Sequence, residues 1–182
     1  MKIYQMHKQG KYYVRYFNGF SLKNEESLFS EYTVEGDFCI SGFSCGAQGA
    51  FDYVYNTKER IDRLILLSPA FFQTRDMSFL RTQERYFKNA KKLYIKQFLQ
   101  NVAYPSNTDL SKYLKVGTNK DLEELLMYIW DKKKIKEVSD RGVIIEVFIG
   151  SEDKIIDAQE VFDFFSDLAV THIIKDVGHL LN

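Results

Sequence analysis

The feature that most constrains the fold of this 182-residue chain is a set of short apolar runs without polar alternation. Leu64-Ile65-Leu66-Leu67 lies inside a predicted strand over 61–68, and Val143-Ile144-Ile145-Glu146-Val147-Phe148-Ile149 predicts another. Such runs are typical of strands buried on both faces of a parallel sheet. The other predicted elements are strands over 2–7, 11–17, 37–41 and 171–174, and helices over 46–55 and 157–168. Because strands and helices alternate, we predict a single α/β domain with a mostly parallel sheet.

Residues 73–141 interrupt that alternation with helical patterns alone. Apolar pairs recur every seven residues at Phe79/Leu80, Tyr86/Phe87 and Leu93/Tyr94, which predicts one face of a long helix. A second helix is marked by Leu122, Leu125, Leu126 and Ile129. We therefore expect a helical lid inserted at about 73–141, between the fourth and fifth strands.

The charge of the chain is balanced overall but not locally. Lys plus Arg and Asp plus Glu are both 25, which excludes a uniformly basic nucleic-acid-binding protein. Residues 73–141 nevertheless hold 15 basic against 9 acidic residues, a net charge of +6, and the remainder carries −6. A basic surface on the inserted helices is therefore compatible with the neutral total.

The two cysteines, Cys39 and Cys45, are too few for a disulfide framework or a set of zinc ligands. They favour a reducing compartment, so we expect a cytoplasmic protein. The chemistry of the motifs described below implies no metal or other cofactor. No apolar run is long enough to span a membrane, and residues 1–8 lack the apolar stretch of a signal peptide. Neither a membrane nor a nucleic acid is an expected partner.

A G-x-S-x-G pentapeptide, Gly42-Phe43-Ser44-Cys45-Gly46, follows the third predicted strand. A sharp turn from strand to helix at this point would raise the Ser44 hydroxyl above the sheet, and the glycines would permit close backbone approach. The pattern therefore predicts a nucleophilic serine. The alternative is an ordinary turn rich in Gly and Ser.

A nucleophilic serine needs a general base and a carboxylate that orients it. Of three histidines we favour His179, which follows Gly178 after the last strand, over His172 within a strand and His7 in the first hairpin. For the carboxylate we favour Asp153, just after the fifth strand, over its neighbour Glu152. Asp157 competes, but its place before a helix already explains it as an N-cap.

Backbone N–H groups would have to stabilise the oxyanion of an acyl-transfer intermediate. We expect one from Cys45, next to the serine, and one from Phe20 in the turn Asn18-Gly19-Phe20. This segment could equally be a plain turn. The Cys45 side chain is expected to pack or to line a pocket, since Ser44 holds the central position of the motif.

These residues resemble the α/β-hydrolase family. The resemblance covers nearly the whole chain and rests on the order Ser44, Asp153, His179, with Asn18-Gly19 in place of the family's common His-Gly. Within the family the chain looks most like the short esterases of biotin synthesis that cleave pimelyl-[acyl-carrier protein] methyl ester (the BioV type). The segment between Gly19 and Ser44 is shorter than is usual, so the early part of the fold is expected to be reduced.

The resemblance implies an acidic acyl-carrier protein as partner, which a basic lid would attract. The candidate contacts are Arg75, Arg81, Arg85, Lys88, Lys91 and Lys92. The alternative for these charges is a solvated helix face. For the whole protein, the alternatives are a general carboxylesterase or thioesterase on a small substrate, and a binding module that has kept the fold without catalysis.

Overall fold

The computed structural model describes residues 5–9, 12–34, 36 and 38–182, and those residues form one six-stranded sheet with helices. The strands are β1 (Gln5–Gln9), β2 (Tyr12–Phe17), β3 (Cys39–Phe43), β4 (Arg63–Leu67), β5 (Ile144–Gly150) and β6 (Val170–Ile174). The helices are α1 (Cys45–Asn56), α2 (Met77–Asn89), α3 (Lys91–Ala103), α4 (Asn119–Met127), α5 (Lys132–Asp140) and α6 (Ala158–Phe165). Short 3₁₀ segments cover Glu26–Phe29 and Ser111–Tyr113. The hairpin predicted from the strands over 2–7 and 11–17 would turn at Gln9-Gly10, and Gly10 lies outside the described residues.

The strands lie in the sheet in the same order as in the chain. β1 pairs antiparallel with β2, and every later neighbour pairs in parallel, with Phe43 opposite Leu67 and Gly150 opposite Ile174. The mostly parallel sheet predicted from the apolar runs is confirmed. Because β2 to β6 run in one direction, their carboxyl ends meet at a single edge, where sites form in open α/β sheets.

Both faces of the central strands are covered. Leu64 and Leu66 pack among residues of α1 and α6 on one face, and Ile65 and Leu67 pack with Phe29 on the other. The strands β3 and β4 are therefore buried almost throughout. In contrast, β6 forms an exposed edge, although its apolar sequence predicted burial.

The inserted segment is helical, but the predicted long helix is wrong. α2 and α3 are separated at Ala90, whose backbone (φ −137°, ψ 46°) is not helical. Because of this break, α2 and α3 pack against each other through the apolar residues of the seven-residue repeat. The rings of Phe87 and Tyr94 meet edge to face with their centroids 5.2 Å apart. Leu93, another residue of the repeat, is instead 57% exposed.

The end of the insertion is part of the main core. The indole of Trp130 packs against Phe51 of α1 and Phe165 of α6, and its Nε1 donates to the carbonyl of Ala70 at 2.9 Å. Gln48 of α1 donates to the carbonyls of Ala70 and Leu125, each at 3.1 Å. These contacts fix α4 and α5 against the body of the protein. None of the helices in the described ranges is both long and apolar enough to cross a membrane.

Candidate active site

Ser44 occupies a strained turn between β3 and α1. Its backbone has φ 55° and ψ −119°, a conformation that residues other than glycine rarely adopt. The turn is held by β4 and the loop after it, since Ser44 N–H donates to the carbonyl of Leu67 at 2.9 Å and Ser44 C=O accepts from Ala70 N–H at 3.1 Å. This is the sharp strand-to-helix turn predicted from the pentapeptide.

The glycines on either side of Ser44 are needed because the backbones approach too closely for a side chain. A Cβ atom on Gly42 would lie 2.3 Å from the carbonyl oxygen of Gly46, and one on Gly46 would lie 2.0 Å from that of Phe17. The start of α1 is therefore pressed against the ends of β2 and β3. The first amides of α1, that of Cys45 included, have no acceptor within the helix.

His179 and Asp153 form a buried pair at the same edge of the sheet. Nδ1 of His179 lies 2.6 Å from Oδ2 of Asp153, and neither side chain is exposed to solvent. The other carboxylate oxygen of Asp153 accepts from the N–H groups of Ile155 and Ile156, at 2.7 and 3.1 Å. Because a carboxylate oxygen can only accept, Nδ1–H is the donor in this pair, and in the neutral ring Nε2 is the acceptor.

Two loops in backbone contact bring this pair together. A Cβ atom on Gly150 would lie 2.1 Å from the carbonyl oxygen of Gly178, and Glu152 N–H donates to the carbonyl of Val177 at 2.8 Å. The carbonyl of His179 itself accepts from the buried hydroxyl of Ser68, at 2.8 Å. The histidine is therefore anchored through both its backbone and its ring.

The imidazole of His179 lies beside the serine turn. Its ring packs on that of Phe43, the residue before Ser44, with centroids 4.8 Å apart. Nε2 of His179 is buried, and no hydrogen-bond partner for it occurs among the described residues, so the Ser44 hydroxyl is not bonded to it here. Such contacts are often long in a protein without substrate.

The turn after β2 lies next to the start of α1. The Cys45 sulfur is 3.8 Å from the carbonyl oxygen of Asn18, and a Cβ atom on Gly19 would lie 2.7 Å from the ring of Phe43. Burial raises the pKa of the Cys45 thiol to about 12, which makes it a poor nucleophile. The predicted N–H donors of Phe20 and Cys45 thus belong to two backbone segments that touch.

A cavity of about 300 Å³ opens beside Ser44. Its walls are mainly the apolar side chains of Phe20, Phe72, Phe79, Phe98, Leu122, Leu125, Leu126 and Ile155. Polar groups also line it, among them Gln83 of α2, Gln97 and Asn101 of α3, and Lys154 next to Asp153. The inserted helices therefore supply much of the space next to the serine.

The six basic residues suggested as partner contacts are all exposed. Arg81, Arg85 and Lys88 line one open groove of about 520 Å³ on α2, together with Glu84 and Glu123. Leu122 lines both this groove and the cavity at Ser44, so only a thin wall separates them. The other three basic residues are Arg75, Lys91 and Lys92. Arg75 lies 3.8 Å from Glu160, Lys91 lies over the ring of Phe87, and Lys92 is exposed.

The competing candidates lie elsewhere or have other partners. His172 is exposed on β6 with its ring stacked on that of Phe148, and Glu152 is exposed. The Asp157 carboxylate accepts from the N–H groups of Gln159 and Glu160, which confirms it as the N-cap of α6. The side chain of His7 lies outside the described residues.

Sequence reasoning missed Glu25, which is completely buried beside the Asn18–Phe20 turn. Its sequence context, Lys23-Asn24-Glu25-Glu26, is that of an exposed polar turn and carries no sign of burial. Ser68 was missed for a similar reason, because a serine after a strand usually means only that the strand ends.

Neither a protein-family model nor the sequence of a curated protein matches this chain. Solved structures do match it in fold. Naproxen esterase from Bacillus subtilis is 12% identical with a TM-score of 0.63, over 100% of this chain and 85% of that one. A structure from a study of carboxylesterases of Nitrososphaera gargenis is 11% identical with a TM-score of 0.67, over 99% and 88%.

MenH from S. aureus also matches in fold, with 16% identity and a TM-score of 0.57 over 91% of this chain and 85% of that one. Together with the mostly parallel sheet and the strained serine turn, these likenesses establish that the chain has the α/β-hydrolase fold. At such identities they concern the fold alone. The chemistry must be argued from the residues at the edge of the sheet.

Proposed function

We propose that the protein is a serine ester hydrolase in which Ser44, His179 and Asp153 act together. The observation that carries the proposal is the buried 2.6 Å contact between His179 and Asp153, with Nε2 left unpaired beside the Ser44 turn. An unpaired buried Nε2 lowers the stability of the folded protein, so its presence calls for a functional explanation. Acceptance of the proton from a serine nucleophile is such a function.

In the proposed reaction, Ser44 Oγ attacks the carbonyl carbon of the ester while Nε2 of His179 takes its proton. Asp153 keeps Nδ1 protonated and stabilises the imidazolium that forms. The N–H groups of Phe20 and Cys45 stabilise the oxyanion. The tetrahedral intermediate expels an alcohol, which takes the proton from His179. Water then attacks the acyl-serine with His179 again as base, which releases the acid and restores Ser44.

For the substrate, we propose the methyl ester of pimelyl-[acyl-carrier protein], cleaved to methanol and the free carrier-bound acid. Support comes from the resemblance to short esterases of biotin synthesis and from the cavity, whose mainly apolar wall suits an acyl chain. The groove of Arg81, Arg85 and Lys88 next to that cavity suits an acidic carrier. Among the ion pairs of the described residues, these three cations take no part.

The role of Ser44 is tested by labelling with a fluorophosphonate and locating the adduct by mass spectrometry. We expect labelling of the wild-type protein and of S41A, which alters another buried serine on β3, and none of S44A. Unlabelled wild-type protein, or a labelled S44A variant, would refute the serine mechanism. It would favour a hydrolase fold that only binds its ligand.

The substrate is tested by the mass of pimelyl-carrier-protein methyl ester before and after incubation. Loss of one methylene mass identifies demethylation, whereas loss of the whole acyl group identifies a thioesterase. A small methyl ester cleaved as efficiently as the carrier-bound one would instead favour a general carboxylesterase. As a control, cleavage of the carrier-bound ester is compared at low and high salt. If exposed charges attract the carrier, the reaction should weaken at high salt.

A further inference from the structure

Glu25 is a completely buried carboxylate beside the turn that follows β2. It precedes the 3₁₀ segment Glu26–Phe29, but its side chain does not cap that segment. It turns back instead, so that Oε1 accepts from Gly19 N–H at 2.6 Å and from the hydroxyl of Tyr16 at 3.3 Å. For Oε2 no partner occurs in the described part of the chain.

Burial of this carboxylate in its charged form is unfavourable, because the hydration that the charge loses must be replaced by hydrogen bonds or a nearby cation. The titratable groups around Glu25 are Tyr16, Glu26 and Cys45, none of which is a cation. Burial accordingly raises the pKa of Glu25 to about 7. A glutamine could accept the same hydrogen bond without this penalty, so the feature to be explained is the buried acceptor directed at Gly19 and not its charge.

The bond to Gly19 closes a turn whose geometry matters for the proposed reaction. The Asn18 side chain accepts from Asn24 N–H at 2.8 Å, and the carbonyl of Gly19 accepts from Leu22 N–H at 3.1 Å. A Cβ atom at position 19 would lie 2.7 Å from the Phe43 ring, which favours glycine, and glycine leaves the adjoining peptide planes freer to rotate. The contact with Glu25 removes that freedom at the amide next to the one that Phe20 would present.

We propose that Glu25 is a positioning residue: by accepting Gly19 N–H it holds the Asn18–Gly19 peptide and, together with the Leu22 bond to the Gly19 carbonyl, keeps the next amide, Phe20 N–H, directed at the ester oxygen above Ser44. The inference rests on the proposed serine mechanism. It assigns to Glu25 an effect on the transition state through the backbone, without contact with substrate. The oxyanion forms only as the reaction proceeds, so loss of this alignment should lower kcat more than it raises KM.

The test compares E25Q with E25M in the hydrolysis of a chromogenic short-chain ester. Gln can accept the Gly19 N–H bond, whereas Met fills a similar volume without an acceptor and avoids a buried charge. We expect E25M to lower kcat about 10- to 100-fold, less than the loss of a whole oxyanion donor. KM should change by less than about threefold, and E25Q should restore most of kcat. Y16F, which removes only the second bond to the same oxygen, should stay within about twofold of wild type.

Several results would overturn the inference. An active wild-type protein with an equally active E25M would show that Gly19 does not need the bond. Equal losses in E25M and E25Q would show that another property of Glu25 matters. Thermal unfolding checks that the variants fold, with E25A as a replacement for E25M. If neither folds, Glu25 is a folding residue and not a positioning one. An inactive wild-type protein that fluorophosphonate fails to label would instead refute the proposed function itself.

Discussion

Asp153 holds His179 by one carboxylate oxygen, 2.6 Å from Nδ1, while its other oxygen is held by two backbone N–H groups. The carboxylate therefore cannot turn away without losing three contacts. This arrangement determines which nitrogen of His179 is left as the acceptor, and the first prediction concerns it.

D153N should leave the fold intact and lower kcat for ester hydrolysis by about 10³- to 10⁴-fold, because an amide in this place favours the wrong tautomer of the histidine. Steady-state kinetics measures the loss. D157N is the matched control, since Asn is as good an N-cap as Asp and Asp157 caps α6 away from the histidine. A D153N enzyme with wild-type kcat would contradict the proposed role of Asp153.

The second prediction concerns the pH dependence of stability. Burial raises the pKa of Glu25 from 4.5 to about 7, so between these values the folded protein binds more protons than the unfolded chain. The contribution of Glu25 to the free energy of unfolding is therefore greatest at low pH and falls as the pH rises through this range, by about 3 kcal/mol at most. E25Q, which does not titrate, should be more stable relative to wild type at pH 8 than at pH 5.

Chemical denaturation of both proteins at the two pH values measures this difference. Y16F adds a check with a known sign: it keeps the titrating carboxylate but removes a hydrogen bond that lowers the Glu25 pKa, so the pH dependence should persist and become somewhat larger. Parallel curves for wild type and E25Q would mean that Glu25 does not titrate in this range.

The third prediction concerns the basic groove. R81E/R85E should raise KM for a carrier-bound ester at low salt about tenfold or more, with little effect on a small ester, since steering acts on the charged partner alone. The control K133E/K136E makes the same change of charge on α5, away from the groove, and should have less effect. Equal effects of the two double variants would mean that net charge matters and the groove does not.

The fourth prediction concerns the backbone at the serine turn. G46A should destabilise the protein by about 3 kcal/mol or more, because its Cβ would lie 2.0 Å from a backbone oxygen that cannot move aside. G49A, in the same helix, meets only the ring of Phe17 at 3.1 Å, and a better helix former offsets that contact. Denaturant unfolding compares the two, and similar stabilities would contradict the close approach at Gly46.

The local pattern of the sequence was enough for the sheet and for several site residues. Leu64–Leu67 predicted a strand buried on both faces because a parallel sheet needs apolar side chains on both sides. The position of Ser44 after β3, of Asp153 after β5 and of His179 after β6 also followed from local order alone. Parallel strands then bring these positions to one edge, whatever the details of packing.

Other features depended on contacts between distant parts of the chain. The repeat over Phe79–Tyr94 looks the same whether one helix continues or two helices fold together, and the break at Ala90 lets Phe87 meet Tyr94. His172 lies in an apolar run, yet β6 is an edge strand with an exposed histidine. Whether a strand is central or at an edge depends on which strands pair with it, and the strand's own residues do not reveal that.

The sequence by itself determined the strand-to-helix turn at Ser44, the order of the site residues along the chain and the basic character of residues 73–141. Only the tertiary structure decided that Asp153 rather than Glu152 reaches His179, that Arg81, Arg85 and Lys88 share a groove beside the cavity, and that Glu25 is buried against Gly19. The physical reason is the range of the interactions. Turn geometry depends on neighbours in sequence, whereas ion pairs, cavities, buried carboxylates and the exposure of an edge strand depend on residues that meet only after the sheet has formed.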